Sequence, residues 1–314
     1  MTNWPQVLGE GNARDIARAI TAVENASPTG REILEQLPLP TAHVIGLTGP
    51  PGVGKSTSTS ALVTELRKSG RRVAVLAVDP SSPFSKGALL GDRIRMQAHA
   101  SDQDVFIRSL AARGHLGGLT ETTLDVISVL NAAGYDSIIL ETVGVGQSEI
   151  DIASAADTTI VITAPGMGDG IQAAKAGILE IADIFAVNKA DREGADVSVR
   201  ELKSMLSLAP EDTGWIPPVI PTVATTGQGF NELNQSISDH LEYLESSGNI
   251  QLRRERRLRE YLLARAFARV QREIVARESS EDLARAVANG EISVEFAIAQ
   301  LTSAIGAAAL PENQ

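Results

Sequence analysis

The chain is predicted to be an α/β protein whose mainly parallel sheet is flanked by helices, and three features lead to that reading. Short, nearly continuous Val/Ile/Leu runs alternate with helix-length segments between residues 43 and 224. The first of these runs leads straight into the glycine-rich stretch "GPPGVGKSTSTS" at the head of a helical pattern. After about residue 248 the apolar runs stop and only helical periodicity remains. Strands that are apolar on both faces need cover on both faces, which crossover helices supply in a doubly wound sheet.

The elements follow in order. Residues 11–37 read as helical, with "ARDIARAITAVEN" and "GREILEQL" placing apolar residues at three- and four-residue intervals and Pro28 and Gly30 marking a break. Strands are then expected at "HVIGLT", "RVAVLAVD", "DVFIRSL", "YDSIILET", "TTIVIT", "DIFAVNK" and "PPVIPTVA". In the tail, Leu258, Leu262, Phe267, Val270 and Ile274 recur near helical spacing among arginines and glutamates. Ser279 with Asp282 resembles a capping box, Gly290 is a helix stop, and "SVEFAIAQLTSAI" is a last helix. The divisions expected are an N-terminal helical extension at 1–40, a nucleotide-binding domain at 41–248 and a C-terminal helical region at 249–314. The run "LRRERRLRE" reads either as a solvated helix face with internal Glu/Arg pairs or as part of a subunit interface.

Composition narrows the function classes. At 314 residues and 43% hydrophobic, the chain can build a core without covalent staples. It has no cysteine, and His43, His99, His115 and His240 show no ligand-like spacing, so bound zinc or nickel is not expected. A formal charge of −11, from 39 acidic against 28 basic residues, argues against nucleic-acid binding. No apolar run approaches the roughly 20 residues that span a bilayer. Glu10 and Asp15 fit poorly with a transit peptide, so no membrane association and a cytoplasmic location are expected.

Gly49, Gly54, Lys55 and Ser56 supply G-x-x-x-x-G-K-[ST] between a strand and a helix. Glycines let successive N–H groups turn inward as a nest for phosphate oxygens, and the helix start adds its positive dipole end. Residues from Gly49 through Pro50, Pro51, Gly52, Val53 and Gly54 to Thr57 thus line a candidate phosphate site. Lys55 would reach the β and γ phosphates, and the Ser56 hydroxyl would join a Mg²⁺ shell.

"NKAD" at 188–191 follows another apolar run. An aspartate can accept from both the ring N1–H and the exocyclic amine of guanine, which adenine cannot offer, so Asp191 points to GTP or GDP rather than ATP. Asn188 would support the loop and the Lys189 stem would cover the ring. Ala224 and Thr225, in "VATTG", form a further candidate base contact. Asp79, Asp92 and Glu141 fall at or near strand ends, where carboxylates can hold Mg²⁺ directly or through its waters, although each alone could be a surface or capping acid. Val145 stands just after "ETVG", where Ras-like GTPases carry the glutamine that orients water, so fast intrinsic hydrolysis is not expected. Gln147 and Glu149 read equally as helix-start residues. Lys175 closes the glycine-rich "PGMGDGIQAAK" and is either a cation that enters the site when a partner orders the loop or a solvated lysine.

Together, "TGPPGVGKST", "VLAVDPSSPFSKGALLGDRIRM", "ETVGVGQSE", "PGMGDGIQAAKAGILEIADIFAVNKAD" and the arginine-rich tail resemble the MeaB/ArgK group of GTPases, over residues 40–280. The resemblance implies a SIMIBI-type P-loop NTPase fold with helical extensions at both ends. It also implies a homodimer held through the C-terminal region, and GTP hydrolysis with Mg²⁺ that is slow alone and faster with a partner. That partner would be adenosylcobalamin-dependent methylmalonyl-CoA mutase or a related acyl-CoA mutase, whose cofactor loading such proteins gate and whose activity they protect. By the same resemblance Lys55, Asp92, Glu141 and Lys175 are the candidate catalytic residues, and Ser56, Asp79, Asp92 and Glu141 the candidate metal residues. An alternative label for the group, a kinase of lysine/arginine/ornithine transport, would need a phosphoacceptor that nothing in the chain marks.

Overall fold

A computed structural model of the chain describes residues 2–79, 97–99, 101–111, 118–142, 148–166, 180–208, 214–275 and 279–303. Two compact units divide the chain, 1–258 and 259–314. The first holds one sheet of β1 (His43–Thr48), β2 (Val73–Asp79), β3 (Val105–Ala111), β4 (Ser137–Thr142), β5 (Thr158–Thr163), β6 (Ile184–Val187) and β7 (Val219–Pro221). Their order is β3-β2-β4-β1-β5-β6-β7 and every described pairing is parallel. All seven strands answer to apolar runs read from the sequence.

β1, β4 and β5 are buried at every position, as strands covered on both faces must be. Side chains of alternating residues enter different cores. Ile160, Ile162, Ile184 and Ala186 join Ile45, Leu47, Val75 and Ile139 beneath α4 (Lys55–Lys68) and α8 (Phe230–Ser246), which contribute Leu62, Leu66, Phe230 and Ile237. Val161, Phe185 and Val187 face Leu202 of α7 (Ala195–Leu206). α5 (Gly118–Ala132) and α6 (Ser148–Ala155) complete the crossovers around β4.

The N-terminal segment forms α1 (Trp4–Gly9), α2 (Ala13–Glu24) and α3 (Pro28–Gln36), so α1 begins ahead of the helical region read from periodicity. Pro28 is the break, as the first residue of α3, whereas Gly30 lies inside that helix. Side-chain oxygens of Asn3, Asn12 and Ser27 accept N–H bonds at the three helix starts, satisfying donors that the helix itself leaves open. Arg108 of the edge strand β3 donates to Thr21 and Glu24 of α2, which fastens these helices beside the sheet.

α9 (Asn249–Val275) crosses the unit boundary, and α10 (Ser279–Ala288) and α11 (Val294–Ser303) belong to the second unit. In the run "LRRERRLRE", read either as a solvated face or as part of an interface, Leu252, Glu255, Arg256, Arg259 and Glu260 are exposed, whereas Arg253 and Arg257 turn inward onto acids. Arg253 grips both oxygens of Asp183 at 2.9 and 2.7 Å, and Arg257, 7% exposed, donates to Asp157 at 2.7 Å. These acids immediately precede β6 and β5. Asp157 Oδ2 accepts the Val44 N–H and Asp183 Oδ2 the Thr159 N–H. Burial works to raise the Asp157 carboxyl, but Arg257, the Val44 N–H and Arg254 outweigh it and hold it below the usual range. For Asp183, burial is likewise outweighed, by His240 and Arg253. Beside the acids, His43 Nε2 and His240 Nδ1 both contact Thr158 Oγ1, at 2.8 and 2.9 Å.

Burial lowers the His43 pKa from 6.5 to about 4, against the pull of Asp157. Between those values the unfolded chain binds a proton at residue 43 that the folded chain refuses, so stability falls as pH falls through this window. The slope should reach about 1 kcal/mol per pH unit. Urea midpoints measured from about pH 7 down to about pH 4.5 should therefore decline. His43→Gln should flatten that decline, and an equally steep one in the variant would contradict the assignment.

Candidate functional site

In an open parallel sheet, ligands bind beyond the carboxyl ends of strands where the strand order reverses. Here that place lies beyond β1, which sits between β4 and β5. Residues 49–54 leave β1 there and lead into α4. Gly49 has φ 143°, and a Cβ on it would lie 2.1 Å from the Ile162 carbonyl oxygen. The loop thus passes too close to β5 for any side chain. Val53 is fully buried in the core under α4 and anchors the loop from below. Gly54 starts α4 with φ 98° and no side-chain cap, leaving the first-turn N–H groups without partners inside the helix. That is the donor array a phosphate requires.

Lys55 is 9% exposed, and its Nζ reaches back over the loop to the carbonyls of Gly49 at 2.6 Å and Pro50 at 3.2 Å. The ammonium is therefore held at the mouth of the nest and not in solvent. Below it, Ser56 Oγ donates to Glu141 Oε1 at 2.5 Å and Thr59 Oγ1 to Oε2 at 2.8 Å. Glu141 is 1% exposed. Among the described residues no group of three or more His, Cys, Asp or Glu could hold a metal ion. A hydroxyl beside a carboxylate is nevertheless the hard-oxygen chemistry that suits Mg²⁺ shared with phosphates, so Ser56 and Glu141 fit that ion.

A cavity of about 140 Å³ opens beside the loop, lined by Gly54, Thr57, Asn188, Lys189 and Asp191 together with Arg192, Val223, Ala224 and Thr225. Asn188 is its structural centre. The Asn188 side chain is 3% exposed; its Nδ2 donates to the Val53 carbonyl at 2.7 Å and its Oδ1 accepts the Ala224 N–H at 3.0 Å. Its own N–H bonds to Thr163 O. Lys189 adopts φ 58°, and its Nζ donates to Gly52 O at 2.6 Å. Two residues of "NKAD" thus lock the base loop to the phosphate loop, while Asp191 stays exposed on the cavity wall.

The structure gathers Gly49, Pro50, Pro51, Gly52, Val53, Gly54, Lys55, Ser56 and Thr57 into one loop and helix start. Asn188, Lys189, Asp191, Ala224 and Thr225 lie around the adjoining cavity. Asp79 is the last residue of β2; its side chain, like Asp92 and Lys175, lies outside the described residues. Sequence reading missed Thr59 and Arg192. The spacing of Thr59 three residues after Ser56 was the available signal for the first; nothing in the "NKAD" motif marks the second.

A family profile described as "Methylmalonyl Co-A mutase-associated GTPase MeaB" matches residues 16–279. A Pyrococcus horikoshii protein designated a GTPase is 52% identical over 258 residues, covering 81% of each chain. The Mus musculus protein named methylmalonic aciduria type A homolog, mitochondrial, is 34% identical over 268 residues, 79% of this chain and 65% of its own length. Among solved structures, one described as an LAO/AO transport system kinase aligns with a TM-score of 0.69 at 29% identity, covering 96% of both chains.

Replacing Asn188 by Ala removes both side-chain bonds that join the two loops and leaves the Val53 carbonyl without this donor. Guanine-nucleotide affinity should fall about thirtyfold to a hundred-and-fiftyfold, at roughly 1–1.5 kcal/mol for each of the two lost bonds. Titration with a fluorescent GDP analogue checks this, with circular dichroism to verify folding.

Proposed function

Because this chain belongs to the methylmalonyl Co-A mutase-associated GTPase MeaB family, we propose that it is a GTP-driven chaperone of an adenosylcobalamin-dependent acyl-CoA mutase, methylmalonyl-CoA mutase foremost. It is a GTPase of the P-loop class; in this reading its hydrolysis gates cofactor loading and protects or reactivates the mutase. The observation that carries the nucleotide half of the reading is the Asn188 side chain bonded to the phosphate loop and the base loop at once. The partner half draws on the family description and on the methylmalonic aciduria name of the mouse relative.

In the reaction, the first-turn N–H groups of α4 would bind the β phosphate, and Lys55, released from Gly49 and Pro50, would neutralise charge at the β and γ oxygens. Ser56 would hold Mg²⁺ with Glu141 behind it. The ion, when bound, would supply neutralisation of phosphate charge. Asp191 would choose guanine by accepting from its N1–H and amine. Val145 offers no amide to orient water, which supports slow turnover until the mutase joins; Asp92 and Lys175 are the proposed responders to that event.

Exposed Leu262, Leu263 and Phe267 on α9 support a homodimer built through the C-terminal region. No helix of the described residues is long and apolar enough to cross a membrane; action in the cytoplasm belongs to the proposed reading. The name of the aligned structure favours a second reading, a transport-linked kinase. It requires transfer of the γ phosphate to an acceptor rather than to water.

Phosphate release from GTP, measured with and without methylmalonyl-CoA mutase, tests the first reading: stimulation and a stable complex are expected, and the absence of both would sink it. Lys55→Ala should abolish hydrolysis in either case. Asp191→Asn should weaken GTP binding by about a hundredfold or more while admitting xanthosine triphosphate. If ATP competes as well as GTP in the wild type, the assignment of Asp191 fails.

A further inference from the structure

Thr59 lies beyond the end of the phosphate-loop motif, yet it is a second donor to Glu141. Ser56 and Thr59 are three residues apart in α4, so their side chains share one face of the helix. Glu141, the penultimate residue of β4, meets both: Ser56 Oγ donates to Oε1 at 2.5 Å and Thr59 Oγ1 to Oε2 at 2.8 Å. Thr59 is fully buried, and its hydroxyl also lies 3.1 Å from the Lys55 carbonyl. A carboxylate stripped of water needs donors at both oxygens, and here each oxygen has one from the same helix face.

This geometry constrains Ser56. A hydroxyl that ligates a cation uses an oxygen lone pair and keeps its proton. While Glu141 Oε1 accepts that proton, the Ser56 lone pairs are directed away from the carboxylate. With Oε2 fastened by Thr59, the carboxylate cannot turn about its terminal bond and release Ser56 without also breaking the second bond. We propose that Thr59 is a positioning residue for the magnesium ion of the bound nucleotide, acting through Glu141 to orient the Ser56 oxygen. The proposal rests on the Mg²⁺–GTP reading of the site. The bland role for Thr59, a hydroxyl bonding back to the helix carbonyl four residues earlier, predicts no selective effect on magnesium.

The full-length protein carrying fluorescent GDP, titrated with Mg²⁺ after EDTA treatment, separates the two. Thr59→Val should raise the half-saturating Mg²⁺ concentration about tenfold or more and leave GDP affinity in EDTA within about twofold of wild type. Thr59→Ser keeps the hydroxyl and should restore the wild-type titration; where Thr59→Val fails to fold, Thr59→Ala carries the same expectation. An unshifted midpoint in the valine variant, or a serine variant as impaired as valine, overturns the assignment of Thr59 alone. A wild-type protein that retains GDP equally well with and without Mg²⁺ overturns the magnesium reading itself.

Discussion

One buried amide holds the site together. The Asn188 side chain donates to the carbonyl of Val53 and accepts from the N–H of Ala224, while its backbone binds the end of β5. Loops from three places in the chain are thereby fixed to one strand end. An amide suits this position because it offers both a donor and acceptors on one planar group. A carboxylate of the same shape would leave the Val53 carbonyl facing another acceptor. Gly54 makes the approach possible, since a Cβ there would lie 2.6 Å from Asn188 Nδ2.

The opposite end of the sheet is organised by charge. Asp157 and Asp183 close the segments that enter β5 and β6; each accepts a neighbouring strand's N–H on Oδ2 and an arginine of α9 on Oδ1, and Asp183 Oδ2 takes a second bond from Arg253. Removing water from such charges is costly unless every oxygen is met, and here it is met by guanidinium groups and backbone together. The same acids that set strand positions therefore also fasten the start of the long C-terminal helix. Nucleotide chemistry and helix attachment thus occupy the two ends of the same strands.

The sheet was legible because its strands are apolar on both faces and too short to be helices, and the phosphate loop because its glycines follow from backbone angles that other residues resist. Asn188, Lys189 and Asp191 were found by motif, but their contacts with Val53 and Gly52 were not, since nothing local links residues more than 130 positions apart. "LRRERRLRE" stayed open between two readings for a related reason. Arginine composition alone reads as solvated surface, and only the fold brings Asp157 and Asp183 beneath Arg257 and Arg253. Thr59 was hidden in a run of hydroxyls where each residue looks alike; its partner on β4 distinguishes it.

Thr158 has one hydroxyl proton and stands between two imidazoles. With both rings neutral, it can give that proton to only one of them, so the tautomers of His43 and His240 are not independent. His240 Nε2 lies 3.3 Å from Asp183 Oδ1, outside hydrogen-bond geometry, and the attraction of that carboxylate favours a hydrogen on Nε2 and a bare Nδ1 that receives from Thr158. His43 would then carry its hydrogen on Nε2, leaving Nδ1, which has no partner among the described residues, as a lone pair rather than a stranded N–H. In that arrangement the direction of one hydroxyl proton ties the first residue of the central strand to the helix that carries His240.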